Sequence, residues 1–183
     1  MINEYLGIKG NNAYITSYYI LAIILGRSMD KGYVSPALEV LEYLVLKMMA
    51  GRSEVLEALV EYLGGSLPPS QAHDRFGISK HQLRGFMQRI NEKAGDRKLA
   101  EFIVVTATPI IISTVSSRID RSKRPELCMI CGRRLVNMFP EDHIKKHHYN
   151  ELEVEVRRVA VELKKTLLNR KKDREYVEAS ASA

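Results

Sequence analysis

The chain has 183 residues, 45% hydrophobic and 27% charged, which is enough apolar material for a real core and excludes a collagenous, mucin-like or wholly disordered protein. Its 28 Lys+Arg against 22 Asp+Glu give a net charge of +6, a balance that favours a polyanionic partner. The surplus is central: residues 67–116 hold 7 basic and 4 acidic side chains and residues 117–150 hold 8 and 4, whereas residues 1–66 hold 5 and 7.

Met1-Ile2-Asn3-Glu4 lacks the basic-then-apolar order of a secretory signal, so a cytoplasmic, nucleoid-associated protein is expected rather than a secreted one. The apolar runs Tyr18–Leu25 and Phe102–Val115 are shorter than the roughly 18 to 20 residues of a spanning helix and are read as core. The two cysteines stand three residues apart, a spacing suited to metal chemistry rather than to a disulfide framework.

Ser17–Gly26, with Ile20, Leu21, Ile23, Ile24 and Leu25, reads as a buried helix. Ser35-Pro36 opens the next, about Val34 to Met49, in which Leu38, Leu41, Leu44, Val45 and Met48 recur at helical spacing. A third runs over Ser53–Leu63, with Val55, Leu56, Leu59, Val60 and Leu63 on one face, and stops at Gly64-Gly65. Beyond the Gly/Pro linker 64–69, residues 70–90 read as a short helix, a tight turn and a second helix, with Ala72, Phe76, Ile78, Leu83, Met87 and Ile90 inward.

Residues 102–115 are rich in β-branched side chains and broken by Pro109, which favours a strand pair over a kinked helix. Arg118 to Arg124 is a basic connector ending at Pro125. From Pro140 one long helix is expected to about Lys172, with Leu152, Val156, Val159, Leu163 and Leu167 in a narrow stripe, followed by a frayed tail.

The turn region has a physical logic residue by residue. Gly77 supplies a positive φ, Ile78 fills the gap between the helices, and Ser79 caps the second one. Residues 70–90 thereby resemble the helix-turn-helix family of DNA-binding motifs, winged if 102–115 forms a strand pair. The resemblance implies a recognition helix that offers Lys80, Arg84 and Gln88 to the major groove, with Ser79 and His81 beside them. Arg84 suits a guanine edge and Gln88 an adenine edge, while Lys80, Arg89 and the connector's Arg118, Arg121, Lys123 and Arg124 suit phosphates.

Cys128-Met-Ile-Cys131 precedes His143-Ile-Lys-Lys-His147 by eleven residues, and His148 adjoins the last. Two thiolates on a tight turn and two imidazoles one helical turn apart can reach one tetrahedral Zn²⁺. The expected ligands are Cys128, Cys131, His143 and His147, with His148 as the alternative fourth. Residues 126–148 here resemble a single C2H2 zinc finger, one residue short of the commonest Cys-to-His spacing, with Leu135 and Phe139 at the family's apolar core positions. Four protein ligands leave no open position, so one structural zinc ion follows and no catalytic one. Glu141-Asp142-His143-Ile144 after Cys-x2-Cys also looks like the first half of an HNH nuclease motif, but no second Cys-x2-Cys and no later histidine complete it.

The sequence therefore predicts a mainly α protein in three segments. Residues 1–116 form a helical domain holding the helix-turn-helix, 117–148 the basic connector and C2H2 zinc module, and 149–183 the amphipathic C-terminal helix and tail. The expected function is that of a non-enzymatic transcriptional regulator binding double-stranded DNA. The Leu152 stripe is expected to pair with a second copy, which would set DNA half-sites about 34 to 36 Å apart or a multiple of that. The alternatives are a protein-interaction adaptor built on the zinc module and, third, a metal-dependent nuclease; no small-molecule or membrane partner is evident. Few glutamines and abundant Ile, Val, Lys, Arg and Glu point to an archaeal or viral source.

Overall fold

In the computed structural model residues 35–181 are described, with side-chain surroundings through Arg170; the expected helix at Ser17–Gly26 lies outside the described residues. The chain is mainly α, as its periodicity predicts. Helix α1 (Pro36–Met49) starts with proline in its first turn, where the missing N–H is no loss, and buries residues on most of its surface. Helix α2 (Ser53–Leu63) buries Val55, Leu56, Ala58 and Leu59 and keeps Glu57 in solvent. Helix α3 (Ala72–Phe76) is one short turn, and α4 (Lys80–Ala94) follows it directly.

Helix α5 spans Arg97–Thr114 and occupies the region where a strand pair was expected, so no wing forms there. Three forces outweigh the β-branched propensity. Asp96 caps the helix through a 2.7 Å bond from the Leu99 N–H. The hydroxyls that would compete for backbone are returned to it, Thr106 Oγ1 donating to Phe102 O at 2.6 Å and Thr114 Oγ1 to Ile110 O at 2.7 Å. Above all, α5 packs against α1, α2 and α4, which turns an almost continuous apolar run into the centre of a bundle. Pro109 lies on the one exposed edge, where its lost hydrogen bond is easiest to hydrate.

Beyond α5 the chain makes a minimal antiparallel pair, β1 (Ile119–Asp120) with β2 (Leu127–Cys128), and Leu127 bridges on its other side to Arg134. The expected long C-terminal helix is two helices, α6 (Pro140–His147) and α7 (Tyr149–Ala181), separated at His148, whose φ of −136° and ψ of 36° leave the helical region. The broken turn still holds its bonds, from His148 N–H to Ile144 O at 2.8 Å and from Leu152 N–H to His148 O at 3.1 Å.

Leu152, Val156, Val159, Leu163 and Leu167 of α7 are at most 8% exposed, and the helix packs on α1 and α5. The stripe assigned to a second copy is thus covered by this chain. One core cluster runs through all three segments and takes in Ile119, Cys128, Leu135 and Ile144 of the connector and metal module. Among the described residues no helix is long and apolar enough to cross a membrane.

Candidate metal centre and nucleic-acid face

The Cys-x2-Cys turn is built by backbone bonds around its two ends. Cys128 N–H donates to Arg133 O at 2.9 Å, and Gly132 N–H donates back to Cys128 O at 2.9 Å. Closing so tight a loop needs a left-handed residue, and Gly132 supplies it with φ 70°. The turn points both thiols toward α6. His143, the fourth residue of that helix, is fully buried, and its Nε2 lies 3.4 Å from Cys131 Sγ. His148 Nε2 lies 3.4 Å from Cys128 Sγ.

Cys128, Cys131, His143 and His148 place one donor atom each within 4.8 Å of one another, a group compatible with one metal ion. The fourth member is His148, not His147. In a continuous helix His147 would share the face of His143; the break at His148 swings the next ring in instead, and His147 is left exposed. Of the two apolar positions matched to the finger family, Leu135 is buried but Phe139 is 71% exposed at the N-cap of α6, and Ile144, fully buried, anchors that helix.

The electrostatics suit ligation. Burial pushes the His143 imidazole below its ordinary value, and the neighbouring His148, His147 and Arg133 push the same way, so the ring is held neutral with a lone pair to give. Burial raises the Cys128 thiol; a coordinated cation reverses that balance by stabilising the thiolate. The Nδ1 of His148 lies 3.9 Å from Glu151 Oε1, the side on which a carboxylate orients a ligating ring.

Glu141 and Lys47 form a pair that no motif in the sequence announces. Lys47 Nζ is 2.6 Å from Glu141 Oε1, with side chains only 9% and 15% exposed, and Arg52 Nε stands 3.3 Å from the same oxygen. Burial works to raise the Glu141 carboxyl, but the Lys47 hydrogen bond and charge, with Arg52, hold it below its ordinary value. The sequence signal was a lysine inside an otherwise apolar run, Leu44-Val45-Leu46-Lys47-Met48-Met49, where a buried charge demands a partner.

The turn before α4 follows the sequence expectation. Gly77 has φ 67°, Ile78 is buried, and Ser79 forms a capping box: its Oγ accepts from Gln82 N–H at 3.2 Å and its own N–H donates to Gln82 Oε1 at 2.9 Å. Ala72, Leu83, Met87 and Ile90 are buried, while Phe76 is only half-buried, beneath the Arg75 guanidinium. Lys80, His81, Arg84, Gln88 and Arg89 are exposed. Gln88 is tied to Glu92 at 2.8 Å, and Arg89 lies close enough to act on the buried phenol of Tyr43.

The connector is less free than its composition suggests. Arg118 pairs with Glu155 at 3.0 Å, Arg121 with Glu126 at 3.3 Å, and Arg124 with Glu126 at 3.7 Å. Arg118 and Arg121 also staple the connector to the bundle, through Arg118 N–H to Met49 O at 2.7 Å and Arg121 Nη1 to Gly51 O at 3.5 Å. Among the described residues, Lys123 is the connector cation without an ion pair, and Arg133, Arg134 and Lys146 of the metal module share that state.

No protein family, curated protein or solved structure matches the chain.

Proposed function

We propose that this chain is a DNA-binding protein of the transcription-regulator type, in which α4 enters the major groove and one structural zinc ion fixes the C-terminal module. The observation that carries the reading is the outer face of α4. Lys80, Arg84 and Gln88 stand exposed on successive turns, while Leu83, Met87 and Ile90 fix the opposite face in the core. Lys80 to Gln88 covers about 12 Å of helix, the width of the groove. Arg84 suits a guanine edge, and Gln88 reaches an adenine on giving up Glu92. Lys80 on α4 and Lys123 on the connector, neither in an ion pair among the described residues, are the cations proposed to meet phosphate.

Zinc is favoured by the donor chemistry. Two thiolates and two imidazoles at tetrahedral Zn²⁺ lie about 3.3 to 3.8 Å apart along each edge; the Cys128–His148 and Cys131–His143 edges are 3.4 Å, and all four donor atoms fall within 4.8 Å of one another. Four protein donors leave no position for a reacting water, so the ion supplies folding energy rather than catalysis.

Titration with random-sequence duplex DNA at about 50 and 200 mM salt tests the reading. Wild type should lose affinity steeply with salt, and Lys80→Ala/Arg84→Ala should bind more weakly with a log–log salt slope shallower by about 1, for the phosphate contact of Lys80. Equal binding by the double variant removes α4 as the reading head. A protein-interaction adaptor is the second reading, supported by the exposed Met129, Ile130, Val136 and Phe139 of the metal module; it would show salt-insensitive binding to a protein and none to DNA.

A further inference from the structure

We propose that metal occupancy regulates α4, and that the transmitting element is the contact chain Glu141–Lys47–Phe86. The inference rests on the DNA-binding reading for its output, though the link itself does not. Lys47 is the hub: its Nζ ion-pairs with Glu141 of α6 at 2.6 Å and sits over the ring of Phe86 of α4 at 5.3 Å and that of Tyr43 of α1 at 5.5 Å. A buried ammonium is stable in that apolar company only while its carboxylate is present.

What holds the carboxylate is the metal group. Glu141 lies in the first turn of α6, two residues before His143. A helix of 8 residues has no independent stability in water, so α6 depends on its tertiary anchors: the buried Pro140 and Ile144, the Glu141–Lys47 and Lys145–Glu42 ion pairs to α1, and the His143 ring facing Cys131. Releasing the ion frees His143 and His148 from the turn and removes the anchor two residues from Glu141. Glu141 then withdraws, and Lys47 must follow its charge toward water, away from Phe86.

Phe86 is 9% exposed and belongs to the helix that presents Lys80, Arg84 and Gln88 on its other side. The same α1 surface meets α4 a second time, where Tyr43 lies against Arg89. Loss of the Lys47 contact therefore loosens the seat of the proposed recognition helix without touching any of its outward residues. By linkage the coupling runs both ways: DNA that holds α4 in place raises the affinity for metal by the same factor that metal raises the affinity for DNA.

The test uses the full chain, zinc-loaded and stripped by a chelator, and reads amide hydrogen exchange in α4 and α2 without DNA, then duplex binding. In wild type, metal removal should speed exchange over residues 82–90 about tenfold while α2 changes little, and weaken DNA binding about tenfold. In Lys47→Met the α4 exchange should be the same with and without metal. In Glu141→Gln, α4 should exchange like stripped wild type although zinc is bound at one per chain, so this variant decides the matter if Lys47→Met does not fold. Unchanged α4 exchange on stripping, equal acceleration of α2 and α4, or a full metal response in Lys47→Met overturns the proposal. Metal-dependent exchange in α4 with no DNA binding by any form supports the link and refutes the DNA-binding reading.

Discussion

Leu163→Ala separates packing within the chain from pairing between chains. Leu163 is fully buried where α7 crosses the bundle, in one row with Leu152 and Val159, which are equally inaccessible. Truncating such a leucine removes its transfer energy and leaves a cavity, at a cost of about 2 to 5 kcal/mol. For a chain of this size that lowers Tm by about 4 to 20 °C. Val161, 50% exposed on the opposite face of the same helix, should change stability by less than about 0.5 kcal/mol on conversion to alanine. Thermal melting followed by far-UV circular dichroism, at protein concentrations about a hundredfold apart, measures both. The intramolecular arrangement requires that the Leu163→Ala loss be the same at either concentration. A wild-type midpoint that climbs with concentration, and a variant that loses only that climb, would show the row to be an interface between copies and refute the packing described here.

Four further outcomes follow from the geometry. His148→Ala should weaken metal affinity, read by Co²⁺ titration, far more than His147→Ala does; the reverse order would restore the continuous-helix ligand set. Ser79→Ala removes one half of the capping box and should destabilise by about 1 kcal/mol. Gly77→Ala should cost a similar amount, about 1 kcal/mol, through backbone strain alone, because nothing lies within 4 Å of the added methyl; a larger loss in urea unfolding would contradict that open surface. Burial raises the Tyr43 phenol above 10.0, against the opposing Arg89, so its contribution is complete below that value and lost as pH rises through the higher folded value. Tyr43→Phe should remove this alkaline fall, measured as denaturant stability from pH 8 upward (about two units below the phenol's ordinary range); an unchanged alkaline profile would place the phenol in water.

Local signals carried the parts of the fold that are decided locally. Pro36 after Ser35, the glycines at 64 and 65, and the Gly77–Ser79 turn each act through their own backbone, and the helices begin and end where they stand. Residues 102–115 failed for the opposite reason. Ile, Val and Thr lean toward strands by a margin of at most about 1 kcal/mol per residue, and that margin is overridden once four helices enclose the segment. The cap that starts the helix, Asp96 three residues before Leu99, lies upstream of the β-branched run itself.

The site divides along the same line. Both cysteines and His143 follow from spacing, because a knuckle and a first helical turn have fixed local geometry. The choice between His147 and His148 does not, since it depends on whether one residue stays helical, and that is settled by α7 docking its Leu152 row on the bundle rather than continuing the line of α6. Charge is less legible still. Arg118, Arg121 and Arg124 looked like one phosphate-binding run, yet their partners include Glu155, 37 residues from Arg118 along the chain, and the pair that ties the metal module to the bundle spans 94. A cation's availability is a property of what folds against it, and long-range ion pairs leave no periodicity to read. The one hint sequence does offer is a charge where burial is expected. Lys47 in its apolar helix was such a charge, and following it leads from the metal group to the helix proposed to meet DNA.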